Sequence, residues 1–201
     1  MLTQTKSDVV ATFRRVQILE AARRSFARHG LNATTVDHIA KAAKLAKGTV
    51  YLYYRSKDEI LCHALEEELD ALERETVPVI AAAAHFEDKL RQFLGGMLGY
   101  YDRNREFVEL CQLELGADMR RQVRAKFGRI YAAQARAWQA AISRGVREGR
   151  LARVNARHAA LAIVSLGHGL AIQRSRGWTD VPLDDDIAHA TALLWKGLAV
   201  R

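Results

Sequence analysis

The sequence predicts an all-α protein of about nine helices, and three observations carry that reading. Only two prolines interrupt 201 residues. Apolar residues recur at three- and four-residue steps along most of the chain, the period of an amphipathic helix. The long stretches between breaks are rich in Ala, Leu, Glu and Arg, which lose little freedom on entering a helix. Apolar residues make up 49% of the chain, enough to bury a core without disulfides or metal staples.

The elements follow in order. Residues 1–10 are polar and read as a loose arm. A first helix spans about Thr12 to His29, with Val16, Leu19, Ala22 and Phe26 as its inward stripe, and Gly30 stops it. Thr35 is placed to cap a second helix whose inward positions are Val36, Ile39, Ala40 and Ala43. A third fits Ala46 to Tyr53, with Val50 and Tyr54 turned inward. Ser56-Lys57-Asp58-Glu59 is a capping box that starts a fourth helix, about Lys57 to Thr76, which Pro78 ends or kinks. Its stripe is Leu61, Leu65, Leu69, Leu72 and Thr76, and its glutamates, Glu68 included, read as solvated. Further helices fit Glu87 to Arg103, Arg105 to Leu115, Asp118 to Glu148, Ala156 to Ser175 and a last one opening on Asp184-Asp185-Asp186. The long helix from Asp118 carries Gln134 and Trp138 on its apolar side.

Two short helices joined by a tight break, followed by a third, form a helix-turn-helix, which sets its second helix in a DNA major groove. Charge agrees. Through Glu59 the chain has 11 Lys/Arg against 5 Asp/Glu, so this third holds most of the formal net charge of +8. Thr34 and Thr35 sit where a helix N-terminus can meet a phosphate. Lys47 and Thr49 can reach a phosphate or a base edge, and Gly48 permits close approach. Tyr51 and Tyr53 can touch phosphates or thymine methyls, and Lys57 can hold a phosphate.

The run TTVDHIAKAA followed by GTVYLYYRSKDEIL resembles the signature of the tetracycline-repressor (TetR) family of transcriptional regulators, over about residues 12 to 65. The resemblance implies a helix-turn-helix domain over residues 1–55 and a larger helical ligand-binding and dimerisation domain over residues 56–201. It implies that Thr35, Lys47, Thr49, Tyr51, Tyr53 and Lys57 face DNA. Two positions depart from the family pattern. Lys44 stands where Gly is usual at the turn, implying either a relaxed turn or strain offset by a phosphate contact. Ala46 stands where Ser or Thr is frequent, so the recognition helix lacks a side-chain cap.

The function these features imply is a homodimeric regulator on a palindromic double-stranded operator, read as a repressor released by an inducer. An activator of the same fold stays open, as does an all-helical ligand carrier or enzyme. The effector pocket is expected from Met97, Tyr101, Phe107, Cys111, Phe127, Trp138 and His168, a lining suited to an apolar or aromatic small molecule. The dimer interface is expected from Leu161, Ser165, Ile172, Ile187, Ala190, Leu194 and Leu198, on two late helices rich in small residues. No catalytic role is expected. The seven histidines are scattered, no HExxH pair or phosphate loop occurs, and Cys62 and Cys111 are too isolated for zinc or a disulfide framework. No cofactor or metal is expected. No apolar run spans a bilayer and MLTQTKSDVV lacks a signal-peptide core, so no membrane role and a cytoplasmic location are expected.

Overall fold

The computed structural model describes residues 6–82, 84–108 and 117–200. Among these the chain forms eight helices: α1 (Lys6–Ala33), α2 (Val36–Ala42), α3 (Lys47–Tyr51), α4 (Lys57–Ala81), α5 (Phe86–Arg103), α6 (Ala117–Arg147), α7 (Ala156–Ser175) and α8 (Leu183–Leu198). Residues 105–108 are helical too, where the short helix from Arg105 was expected; the rest of that segment lies outside the described residues. The all-α class is as the periodicity predicted. The helical residues fall into two compact units, the first holding residues 6–68 with 117–120, the second residues 69–108 with 121–200.

In the first unit α1 begins at Lys6, several residues before the expected start, and bends at Gly30, whose φ of 78° lies in the left-handed region. Ile18, Leu19, Ala21, Ala22 and Phe26 are buried, whereas Val16 is 49% exposed and faces outward with Val9 and Phe13. Leu19, Ala22 and Phe26 of the expected stripe are thus inward, and Val16 lies off its edge. Ile39, Ala40, Ala43, Val50, Tyr54, Ile60, Leu61, Ala64 and Leu65 supply the other buried apolar side chains of this unit. Gln17 donates to the Ala43 carbonyl at 2.7 Å, tying α1 to the end of α2. Lys57 Nζ donates to the Leu31 carbonyl at 2.7 Å, tying the start of α4 to the end of α1. The opening turns of α4 thus belong to this unit, which reaches Glu68. Glu68 is buried and ion-paired to Arg23, not solvated as its place in a glutamate run suggested.

α4 does not stop near Thr76. It runs through Pro78 to Ala81, and the Pro78 carbonyl still accepts from the Ala82 N–H at 3.1 Å. Proline removes a donor but leaves its own acceptor in the ladder.

In the second unit α5 packs against α7 and α8. Leu90, Phe93, Leu94, Met97 and Leu98 of α5 are buried with Trp138 and Ile142 of α6, Ile163 and Val164 of α7, and Leu198 of α8. Two glycines mark close approaches. A Cβ on Gly96 would stand 3.2 Å from the Glu75 carbonyl oxygen, and one on Gly167 would stand 3.3 Å from the Phe93 ring. The glycine density of α5 therefore serves tight helix contact at Gly96. Arg174, near the end of α7, donates to Asp186 at 2.8 Å, to the Val181 carbonyl at 2.8 Å and to Asp102 at 3.2 Å.

Candidate functional site

The helix-turn-helix is built from short-range chemistry. Thr35 caps α2, its hydroxyl accepting from the His38 N–H at 3.2 Å, while His38 Nδ1 accepts from the Thr35 N–H at 3.4 Å. This is a capping box with histidine in the place usually held by Glu or Gln. At the turn, Lys44 has φ 55°, the only non-glycine with positive φ among the described residues. A side chain in that conformation costs about 1–2 kcal/mol. The strained turn, not the relaxed one, is thus what Lys44 adopts. Ala46 provides no side-chain cap, and α3 is correspondingly short: Lys47–Tyr51 rather than Ala46 to Tyr53. The start of α4 is better fixed, since Ser56 Oγ accepts from the Glu59 N–H at 3.1 Å and the Glu59 carboxylate reaches back to the Arg55 N–H.

Most of the expected groove-facing residues are at least partly exposed. Thr35, Lys44, Lys47 and Gly48 are exposed, Tyr51 is 47% exposed, and Thr49, Tyr53 and Lys57 are half-buried. No atom of the described residues lies within 4 Å of a Cβ placed on Gly48, so packing among them does not require glycine there. Thr34 is a correction. It is only 1% exposed, and its hydroxyl lies 2.7 Å from the Gly30 carbonyl and 3.0 Å from the Ser25 carbonyl. It clasps the bent end of α1 and cannot face a phosphate. Lys57 spends its ammonium on the Leu31 carbonyl, a structural tie within the protein.

Sequence reasoning missed two features of this surface. Lys47 Nζ sits 2.8 Å from Asp37 Oδ2, so the first residue of α3 is ion-paired to the first turn of α2. That hydrogen bond and the carboxylate's charge hold the Lys47 pKa above its usual value. Arg24, Arg28, His29, His38 and Lys41 line a basic groove of about 430 Å³ on the same unit. The separate basic residues were visible in the sequence, but only the packing of α1 against α2 gathers them.

Residues 18–64 match the family described as bacterial regulatory proteins, tetR family. That match covers the helix-turn-helix part of the chain, which is similar to the DNA-binding part of TetR-family regulators. The HTH-type transcriptional regulator HbdR of Aromatoleum sp. (strain CIB) is 33% identical over 98 residues, 49% of this chain and 43% of that protein. The chain spans about half the length, or less, of the curated relatives it matches first. A TetR/AcrR-family regulator from Thermobifida fusca superposes with TM-score 0.68 at 23% identity, covering 92% of this chain and 97% of that one. FadR of Bacillus subtilis, solved in complex with stearoyl-CoA, superposes with TM-score 0.68 at 21% identity, covering 90% and 98%. Both structural likenesses are likenesses of fold.

The second unit gathers part of the expected effector lining. Met97, Trp138 and His168 are buried together near Gly167, where a Cβ would lie 3.6 Å from the Met97 methyl. Phe127 is half-buried with its ring centroid 4.7 Å from that of His168. Tyr101 is buried beside Tyr100, and burial pushes its phenol up to about 12. Phe107 is buried, and Cys111 lies outside the described residues. A separate cavity of about 390 Å³ in this unit is lined by His85, Phe86, Lys89, Arg150, Leu151 and Trp195, none of them expected. The expected dimer residues divide. Ser165 is exposed, Leu161, Ile172, Ile187 and Leu194 are half-buried, and Ala190 and Leu198 are buried in their own unit's core. The stripe chosen on α8 is thus its inward face; Leu193, 67% exposed, lies on the outward one.

His168 carries a pH prediction. It is 5% exposed, and burial lowers its pKa from 6.5 to about 4. The unfolded chain therefore binds a proton that the folded chain refuses between these values, and stability falls as pH drops through that window. The full loss is about 3 kcal/mol. His168→Phe should flatten this part of the pH–stability curve, measured by urea unfolding between pH 7 and 4; an unchanged slope refutes it.

Proposed function

We propose that the chain is a homodimeric DNA-binding regulator that a small molecule releases from a palindromic operator. The observation that supports this is that Thr35, Lys44, Lys47, Gly48 and Tyr51 are exposed, and Thr49 and Tyr53 half-buried, in and around a helix-turn-helix that falls within the matched residues 18–64. Lysines there neutralise phosphates, and the tyrosines and Thr49 reach bases. Repression is the reading adopted; activation follows instead if the operator lies where binding helps a promoter. Selection from random duplex DNA tests it. Enrichment of a palindrome with half-sites about one helical turn, 34–36 Å, apart is expected. Binding should weaken steeply as salt rises, because phosphate contacts release counterions. Unenriched pools and a flat salt response would end the proposal.

The dimer is proposed to form through the outward faces of α7 and α8, where Ala162, Ser165, Gly169, Ala192 and Leu193 are exposed. Small residues let helices approach closely in a four-helix contact, and Leu193 supplies apolar area. Leu193→Arg should convert the dimer to a folded monomer in sedimentation velocity. A variant that still sediments as a dimer moves the interface elsewhere.

The effector is proposed to bind in the second unit beside Met97, Phe127, Trp138 and His168. It acts by preferring the arrangement that does not bind DNA, since a ligand indifferent to the two states shifts nothing.

A further inference from the structure

A continuous chain of buried hydrogen bonds crosses the second unit. Thr76 of α4 donates its hydroxyl proton to the Leu72 carbonyl at 2.7 Å. Its oxygen is then left as an acceptor, and Gln134 Nε2 of α6 lies 2.8 Å from it. That fixes the Gln134 amide, whose Oε1 faces His168 Nε2 of α7 at 3.0 Å. A carbonyl oxygen can only accept, so Nε2 must carry the imidazole proton. His168 is therefore the Nε2–H tautomer, and Nδ1 is left as a bare lone pair.

That lone pair is buried and has no hydrogen-bond partner among the described residues. Burial lowers the affinity of the ring for a proton, so protonating Nδ1 is not how the site satisfies it. The Tyr131 ring lies stacked 5.6 Å away, but its hydroxyl is already paired with Ser165 at 2.7 Å. The Phe127 ring packs against the imidazole in a T-shaped contact, centroids 4.7 Å apart. Trp138, one turn along α6 from Gln134, keeps its own Nε1–H buried without an acceptor among the described residues. A buried polar atom left unpaired is unfavourable, and one at the end of an otherwise satisfied chain marks where an outside group completes it.

We propose that the effector is an uncharged, largely apolar molecule whose hydroxyl, phenol or N–H group donates a hydrogen bond to His168 Nδ1. This rests on the reading of the second unit as an effector site. The same geometry disfavours a carboxylate as the anchoring group. A carboxylate offers no proton, and its charge would face a lone pair within an aromatic surround. The donor's hydrogen bond extends the chain through His168 and Gln134 to Thr76 of α4, so occupancy is felt directly by that helix.

Matched probes test this on the full chain. Phenol and 2-naphthol are titrated against anisole and 2-methoxynaphthalene, which keep the ring and lose the donor. Binding is read from the His168 ring nitrogens by 15N NMR, and palindrome binding is measured on the same samples. The free protein should show the Nε2–H tautomer. A hydroxylated probe should move the Nδ1 resonance and bind about tenfold more tightly than its ether. His168→Phe should abolish that discrimination while keeping the fold. The inference is overturned by an Nδ1–H tautomer, by ethers that bind as well as phenols, or by Nδ1 unmoved by every hydroxylated probe. A protein that fails to bind any palindrome overturns the regulator reading instead, and the Nδ1 titration remains an independent result.

Discussion

Arg174→Ala is expected to destabilise the second unit by about 3–5 kcal/mol, the usual result of stripping one partner from a nearly buried charge pair. The Arg174 side chain is only 10% exposed and that of Asp186 only 14%. Its guanidinium joins the end of α7 to the Val181 carbonyl, to the first turn of α8 through Asp186, and to the end of α5 through Asp102. Alanine would leave Asp186 charged, poorly hydrated and without its cation. It would also free a backbone carbonyl that Arg174 now satisfies. The α8 dipole still favours an acid in that turn, but such an effect is worth only about 0.3–1 kcal/mol. Removing both charges should be far milder. An Arg174→Met, Asp186→Asn double variant leaves no uncompensated ion and should recover most of the loss. Chemical denaturation at fixed protein concentration measures both, because self-association would make apparent stability depend on concentration. A single variant within about 1 kcal/mol of the parent would show that the pair is solvated in solution.

Local chemistry was the legible part of this sequence. The Thr35 cap and the Ser56 start of α4 lie where short-range residue patterns put them. The span Ala156–Ser175 follows from its apolar run and flanking Asn and Gly. What the sequence did not disclose depends on partners distant in the chain. Thr34 resembles a cap until the bend at Gly30 brings the carbonyls of Ser25 and Gly30 to its hydroxyl. Glu68 resembles a solvated glutamate until Arg23 meets it. Ala190 and Leu198 satisfy the spacing of an interface, yet α8 offers two apolar edges and periodicity does not say which one α5 covers. Gln134 was the readable clue to the buried polar chain. A glutamine inside an apolar stripe must be hydrogen-bonded, and Thr76 is also a polar residue within such a stripe.

Lys47→Ala is expected to weaken operator binding about 10- to 100-fold, the range for losing a direct base or phosphate contact at a recognition helix. Lys47 begins α3, is exposed and is held by Asp37 at 2.8 Å. The pair therefore sets the ammonium's position before DNA arrives, and a phosphate or guanine edge must share that ammonium with the carboxylate. The two kinds of contact leave different marks. Loss of a phosphate contact weakens all sequences alike and lowers the salt slope by about one. Loss of a base contact relaxes preference at one operator position. Tyr53→Ala should cost about tenfold, since its half-buried ring also stacks under the Arg15 guanidinium, 5.9 Å from the ring centroid. Asp37→Asn should act the other way: it removes a negative charge beside the proposed DNA contact and frees Lys47. Binding a few-fold tighter at low salt, converging on the parent as salt rises, is the expected result. If Lys47→Ala and Tyr53→Ala both bind the selected palindrome as the parent does, the surface of α2 and α3 is not the one that reads DNA.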